Sequence, residues 1–151
     1  MDPGEYEGLV ERIADRVHEW FRKAYGEKPH VRKTNDKAWV EQHSKNRIDI
    51  AALDYAHLPS DWQYERRIGS QIALDAVLGA GESNWKMDQD FIEAVSAELH
   101  ARWLERNWSR AVEAQKSQYL NLSEEEKEKD RVFVRTAIEV WKNTFTAPPE
   151  Q

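Results

Sequence analysis

Tyr119-Leu120-Asn121-Leu122-Ser123-Glu124-Glu125-Glu126-Lys127-Glu128-Lys129-Asp130-Arg131 is the stretch on which the reading of this chain turns. Ser123 followed three residues later by Glu126 reads as a capping box, with the hydroxyl accepting from the backbone near Glu126. Behind them Phe133, Ala137, Val140, Trp141 and Phe145 recur at helical spacing, which predicts a long helix with one apolar face. Upstream, Phe91, Ile92, Val95, Leu99 and Trp103 predict another helix over Phe91–Leu104, with Asp88 or Asp90 near its start.

The same pattern stands earlier in the chain. At an offset of 64, Tyr55 faces Tyr119, Leu58 faces Leu122, Asp61 faces Glu125, Arg67 faces Arg131, Ile68 faces Val132 and Ala73 faces Ala137. At an offset of 82, Leu9-Val10-Glu11 faces Phe91-Ile92-Glu93, Ile13 faces Val95, Val17 faces Leu99, His18 faces His100 and Phe21 faces Trp103. Residues 5–24 therefore read as a helix ended by Gly26 and Pro29. A further helix starts at Leu58-Pro59-Ser60-Asp61 and presents Trp62, Ile68, Ile72, Ala73, Ala76 and Val77 up to Gly79. The offsets differ by 18 residues, so the first copy carries an insertion: 33 residues from Arg22 to Asp54 against 15 from Leu104 to Gln118. No convincing alternating strand is seen, and Gly79-Ala80-Gly81-Glu82-Ser83-Asn84 reads as the internal linker. The expectation is an all-α fold, a single domain over 1–151. Two helix-pair repeats, about 5–79 and 84–146, pack as one four-helix domain with a long irregular insertion in the first and a flexible tail at 147–151.

Composition narrows the function. The chain has 151 residues, no cysteine, and 22 basic against 28 acidic residues for a net charge of −6. Cysteine chemistry is excluded, no Ser lies in a Gly-x-Ser-x-Gly elbow, and no phosphate-loop or dinucleotide glycine motif occurs. No catalytic set of nucleophile, base and orienting group can be assembled, so the expectation is a non-enzyme without a cofactor. No run approaches the roughly 18 apolar residues of a membrane span, and Met1-Asp2-Pro3-Gly4-Glu5 lacks the pattern of a signal peptide, which points to a cytoplasmic protein without a membrane partner. His30, His43 and His57 show no metal-ligand spacing, and no metal is expected.

Charge is distributed unevenly. Arg22, Lys23, Lys28, Arg32, Lys33, Lys37, Lys45 and Arg47 face only Glu27, Asp36 and Glu41 within the insertion, a local +5. Guanidinium forks bind oxyanions bidentately, lysines add point charge, and Tyr25, Trp39 and Trp62 offer rings for stacking. The candidate ligand-binding set is therefore Arg22, Lys23, Tyr25, Arg32, Lys33, Trp39, Arg47 and Trp62, with a small anionic ligand in a cleft between the insertion and the repeat interface. Asp49 and Asp54 are placed to orient those arginines. The bland alternative is a solvated loop whose charges balance the acidic remainder. Nucleic acid is disfavoured, because no recognition motif accompanies the basic stretch. Of the seven tryptophans, Trp20, Trp103 and Trp141 lie on inward helix faces, whereas Trp39, Trp62, Trp85 and Trp108 fall in loops or at helix ends, where they seal an interface or wall a pocket. Exposed rings of that kind also fit a protein partner or a second copy of the chain.

His100-x-x-Trp103, followed by Tyr119-x-x-Leu122 and by Glu126-Lys127-x-x-Asp130-Arg131, resembles the ryanodine-receptor repeat. The first copy resembles it more loosely through His18, Trp20, Tyr25-Gly26, Tyr55-x-x-Leu58-Pro59 and Glu65-Arg66-Arg67. The second copy lacks the family's long loop with its Gly-Trp-x-Tyr-Gly segment, and the first replaces the acidic run. The resemblance implies a small α-helical module, alone or in tandem. For stand-alone prokaryotic versions it implies recognition of a ligand such as a nucleotide- or NAD-derived signal.

Overall fold

The computed structural model describes residues 1–146; the expected tail at 147–151 lies outside them. The described chain is 73% helical, with five α-helices and one two-stranded sheet, an all-α protein. In chain order the elements are α1 (Pro3–Tyr25), β1 (Val31–Lys33), α2 (Lys37–His43), β2 (Arg47–Asp49), α3 (Ser60–Glu82), α4 (Gln89–Asn107) and α5 (Glu124–Phe145). Single 3₁₀ turns at Tyr55–His57 and Tyr119–Asn121 precede α3 and α5. Among the described residues, no helix is long and apolar enough to cross a membrane. The chain forms two compact units, Met1–Gly69 and Ser70–Gln151, and the boundary falls inside α3.

In the first unit, Asp2 starts α1 by accepting from Glu5 N at 2.9 Å, an N-cap that satisfies one of the free amides of the first turn. The apolar stripe of α1 buries Leu9, Val10, Ile13, Ala14, Val17 and Phe21. Phe21 and Ala14 join Ile48, Ile50, Ala51, Tyr55, Leu58 and Trp62 in one core cluster, flanked by Trp20, Tyr25, Trp39 and Leu53. The insertion therefore supplies core rather than draping over it. It is not irregular: β1 and β2 pair antiparallel with Val31 opposite Asp49, Arg32 opposite Ile48 and Lys33 opposite Arg47, and α2 caps the hairpin's tip. Strands of three residues contain too few positions for a period of two to show, which is why the sequence reading finds none.

Asp36 holds the insertion to α3. One of its carboxylate oxygens accepts from Trp39 N at 3.2 Å and starts α2; the other accepts from Ser60 N at 2.9 Å at the start of α3. These two amides keep its carboxyl below the ordinary range. Asp61 answers from α3, taking the Thr34 hydroxyl at 2.7 Å and Asn35 N at 2.9 Å.

In the second unit, α4 packs on α5 and on the Tyr119–Asn121 turn. Asp88 caps α4 through Phe91 N at 3.1 Å, and Ser123 caps α5 through Glu126 N at 3.2 Å. The expected linker at Gly79–Asn84 is mostly helix, since α3 continues to Glu82 and the chain turns only at Asn84, where φ is 55°. Gly81 is there for packing: a Cβ on it would lie 2.7 Å from Cζ2 of Trp141 in α5. Two glycines close together mark a linker in sequence, but one of them makes room for an indole.

Candidate functional site

The numbering offsets seen in sequence also relate contacts. His18 Nε2 lies 2.7 Å from Leu53 O, and His100 Nε2 lies 2.7 Å from Ser117 O, the carbonyls being 64 positions apart and the histidines 82. His18 stacks on Phe21 with centroids 6.1 Å apart, and His100 on Trp103 at 6.4 Å. Leu58 N donates to Tyr55 O at 3.2 Å, and Leu122 N to Tyr119 O at 3.0 Å. α1 and α4 end at Tyr25 and Asn107, again 82 apart, and α3 and α5 begin 64 apart.

Charged groups grafted on this common frame differ. In the second unit, Arg131 is the hub. Its Nε donates to the Tyr119 hydroxyl at 3.1 Å, and its terminal nitrogens lie 2.7 Å from Glu93, 2.7 Å from Glu124 and 3.1 Å from Glu128. Tyr119 in turn donates to Glu93. The hydrogen bonds that Arg131 donates to Glu124, Glu128, Glu93 and Tyr119 raise the guanidinium pKa further, against burial, while burial and then Glu93 push the phenol up to about 12. In sequence, Asp130 and Arg131 at the head of the last helix read as charge-assisted ties to the preceding loop. Arg131 does so through Tyr119 and reaches α4 as well, whereas Asp130 faces Nδ1 of His100 at 3.7 Å.

The basic insertion of the first unit behaves differently. Arg22 is engaged with Glu19 at 3.0 Å and with Ala51 O at 3.4 Å. Arg32 donates to Val31 O at 2.9 Å and approaches Nε2 of His30 at 2.6 Å, a contact that needs His30 Nε2 unprotonated. His30 lies 5.0 Å from both Tyr25 and Phe21 ring to ring, so Tyr25, His30 and Arg32 form one group at the end of α1. By contrast Lys23, Lys28, Lys33, Lys37, Lys45 and Arg47 are exposed and have no ion pair among the described residues. Lys33 and Arg47 stand directly opposite each other across the hairpin, on the face away from Ile48.

The aromatic candidates divide. Trp62 is 8% exposed and its indole N–H donates to Lys33 O at 3.1 Å, so it fastens β1 onto α3 from within the core. Trp39 is half-buried against the same core and stacks on His43 at 4.2 Å. Trp20, Trp103 and Trp141 are half-buried, while Trp85 and Trp108 are 69% and 55% exposed. Asp49 and Asp54 do not orient arginines as expected. Asp49 accepts from the amides of His30 and Ala51 at 2.9 and 3.1 Å, and Asp54 accepts from His57 N at 3.1 Å. Backbone amides of the hairpin and of the following 3₁₀ turn compete for those carboxylates, and sequence spacing does not reveal that.

Sequence reasoning matched Arg67 to Arg131 but overlooked that Glu11 and Tyr55 gather with it, and it overlooked the role of His30. The first left a trace. Of the positions matched between the copies, Glu11, Tyr55 and Arg67 are identical to Glu93, Tyr119 and Arg131 rather than merely similar in type. Among the described residues no three His, Asp or Glu side chains gather as a metal ion would require. No protein-family model matches the chain, and neither a curated protein nor a solved structure does. Fold and site define a class: an all-α protein of two like-built helix pairs, the first bearing a cationic hairpin.

Proposed function

We propose that the chain is a non-catalytic cytoplasmic binding protein whose hairpin takes a small anionic ligand, as a sensor or a sequestering protein. The nucleotide- or NAD-derived class of ligand follows from the resemblance to the ryanodine-receptor repeat. The carrying observation is the Lys33–Arg47 pair: like charges directly opposite on a sheet destabilise it, and here neither has a carboxylate to offset the other. An oxyanion bridging the two relieves that repulsion and gains charge-assisted hydrogen bonds. Lys23, Lys37 and Lys45 add field around the pair. Tyr25 and Trp39 are the rings available to a base, and Arg22 and Arg32 join only by leaving the partners they now have.

A thermal-shift panel of nucleotides and NAD-derived metabolites tests this reading. A saturating ligand raises the melting temperature by mass action, and Lys33→Ala combined with Arg47→Ala removes the rise. Both side chains are exposed, so the double variant folds. A panel without any rise ends the proposal.

A second reading is favoured by the exposure of Trp85 and Trp108, 69% and 55%. In it the chain is an interaction module for a protein partner or for its own second copy, with those rings as anchors. Mass that grows with concentration in light scattering, and that falls back in Trp85→Ala or Trp108→Ala, supports it.

A further inference from the structure

Arg131 has a counterpart whose partners are mostly missing. Glu124 and Glu128, which lie 2.7 and 3.1 Å from Arg131, correspond 64 positions earlier to Ser60 and Tyr64, neither of them charged. What remains around Arg67 is Glu11, with Oε1 3.9 Å from Nε where the equivalent Glu93 approaches Arg131 to 2.7 Å. Tyr55 is 7% exposed, and its hydroxyl stands beside Glu11 and Arg67 without closing a hydrogen bond of good geometry to either, although Tyr119 at the matching place both donates and accepts. Buried hydroxyls without a partner are uncommon in folded proteins. A guanidinium offers five N–H donors, and the Arg67 side chain, 34% exposed, is open to solvent.

We propose that Glu11, Tyr55 and Arg67 form a second anion site, separate from the hairpin, that binds a carboxylate on Arg67 as the Glu124 carboxylate is bound on Arg131. The protein's own second copy shows the group that fits. A planar carboxylate matches the guanidinium fork. A singly charged carboxylate is preferred to a phosphate dianion because Glu11 already stands beside Arg67. The cations that support the glutamates of the second copy are absent here: Lys127 and Arg135, which pair with Glu124 and Glu128, correspond to Gln63 and Gln71. When the site fills, Arg67 is drawn into the fork geometry of Arg131, and Arg67 and Glu11, already beside the Tyr55 hydroxyl, close on it as donor and acceptor.

The full chain, labelled so that arginine Nε–Hε signals are resolved, is titrated with acetate and separately with a glutamate-containing, N-acetylated peptide, against sodium chloride at matched ionic strength. The Arg67 signal, assigned by its loss in Arg67→Lys, moves saturably with a carboxylate and not with chloride. Movement with acetate identifies a free carboxylate as sufficient; movement with the peptide alone identifies a carboxylate carried by a protein. Tyr55→Phe weakens binding roughly tenfold, the value of one hydrogen bond to a charged group. Tyr64→Glu, at an exposed position, supplies the missing carboxylate from within the chain; its Arg67 signal starts at the bound position and no longer titrates. Lys33→Ala with Arg47→Ala leaves the titration unchanged, which separates this site from the hairpin. Absence of movement with both carboxylates, or a Tyr64→Glu protein that titrates like the parent, overturns the proposal.

Discussion

His18 and His100 sit in matching surroundings and meet opposite charges. Each has Nε2 on a backbone carbonyl at 2.7 Å and each stacks on the aromatic ring three residues later. On the other ring nitrogen, His18 Nδ1 accepts from Arg66 Nε at 3.2 Å, whereas His100 Nδ1 faces Asp130 Oδ2 at 3.7 Å. Arg66 and Asp130 occupy corresponding positions, 64 apart. Burial and then Arg66 push the His18 pKa down to about 4, and burial pushes the Arg66 guanidinium down to about 10. In the second unit, burial and then Glu126 push the Asp130 carboxyl well above its ordinary range. A hydrogen bond to the backbone and a ring stack define the frame. The group facing the other ring nitrogen, from the second helix of each copy, differs between them without disturbing that frame.

The largest contrast is expected at the arginine hubs. Arg131→Ala leaves Glu93 without its cation and the Tyr119 hydroxyl without its donor, and should destabilise the protein by about 3 kcal/mol in urea unfolding, while Arg67→Ala costs less than about 1 kcal/mol. Equal losses would erase the distinction between a filled and an open hub.

Acid should separate the units in a second way. His18 has a folded pKa of about 4 against 6.5 in a free chain, so its contribution is complete above pH 6.5 and is lost as pH falls toward 4, up to about 3 kcal/mol. Asp130 has the reverse sign: its folded pKa is raised, so it favours the native state in acid and loses that contribution as pH rises. Hydrogen exchange at pH 7 and pH 5, corrected for intrinsic rates, should show α1 and the Tyr55–Leu58 turn loosening in acid while α4 and the Tyr119–Leu122 turn hold. Parallel loosening of both units speaks against the assignment.

Smaller effects test the second helix of each copy. Gly81→Ala forces a methyl against Trp141 and is expected to cost about 1–2 kcal/mol despite alanine's better helix propensity, whereas Gly79→Ala, with open space at its Cβ, gains about 0.5–1 kcal/mol in thermal unfolding. Smallest of all, Lys33→Ala removes a like-charge pair and should stabilise the unliganded protein by a few tenths of a kcal/mol, an increment with no equivalent in the second copy's ion-paired surface.

How much of this was legible depended on the length of the element. α1, α4 and α5 run for 23, 19 and 22 residues, long enough for the apolar period to repeat several times, and Ser123 is recognisable as a cap, while at the start of α4 the sequence leaves Asp88 and Asp90 undivided. The strands at 31–33 and 47–49 hold one buried position between them, Ile48, so no alternation exists to be read. The candidate residues were chosen by charge and ring type, and neither property tells Trp62, closed inside the core, from Trp39 on its edge. Lys33 and Arg47 are brought opposite each other only by a hairpin register that the sequence does not announce. The Glu11–Tyr55–Arg67 site was written in the identities between the copies, but its meaning depends on Ser60 and Tyr64, positions whose significance is a charge they lack.

Position 59 is proline where the second copy has Ser123, the residue that caps its final helix. The first copy has no such hydroxyl, and the amide of Ser60 turns to Asp36, a residue of the inserted segment. Excising the hairpin to restore a short connection would thus behead α3 as well as removing the cations. A segment with no counterpart in one half of the molecule has become part of the scaffolding of the other, and an engineer who shortens it must first return a serine or aspartate to position 59.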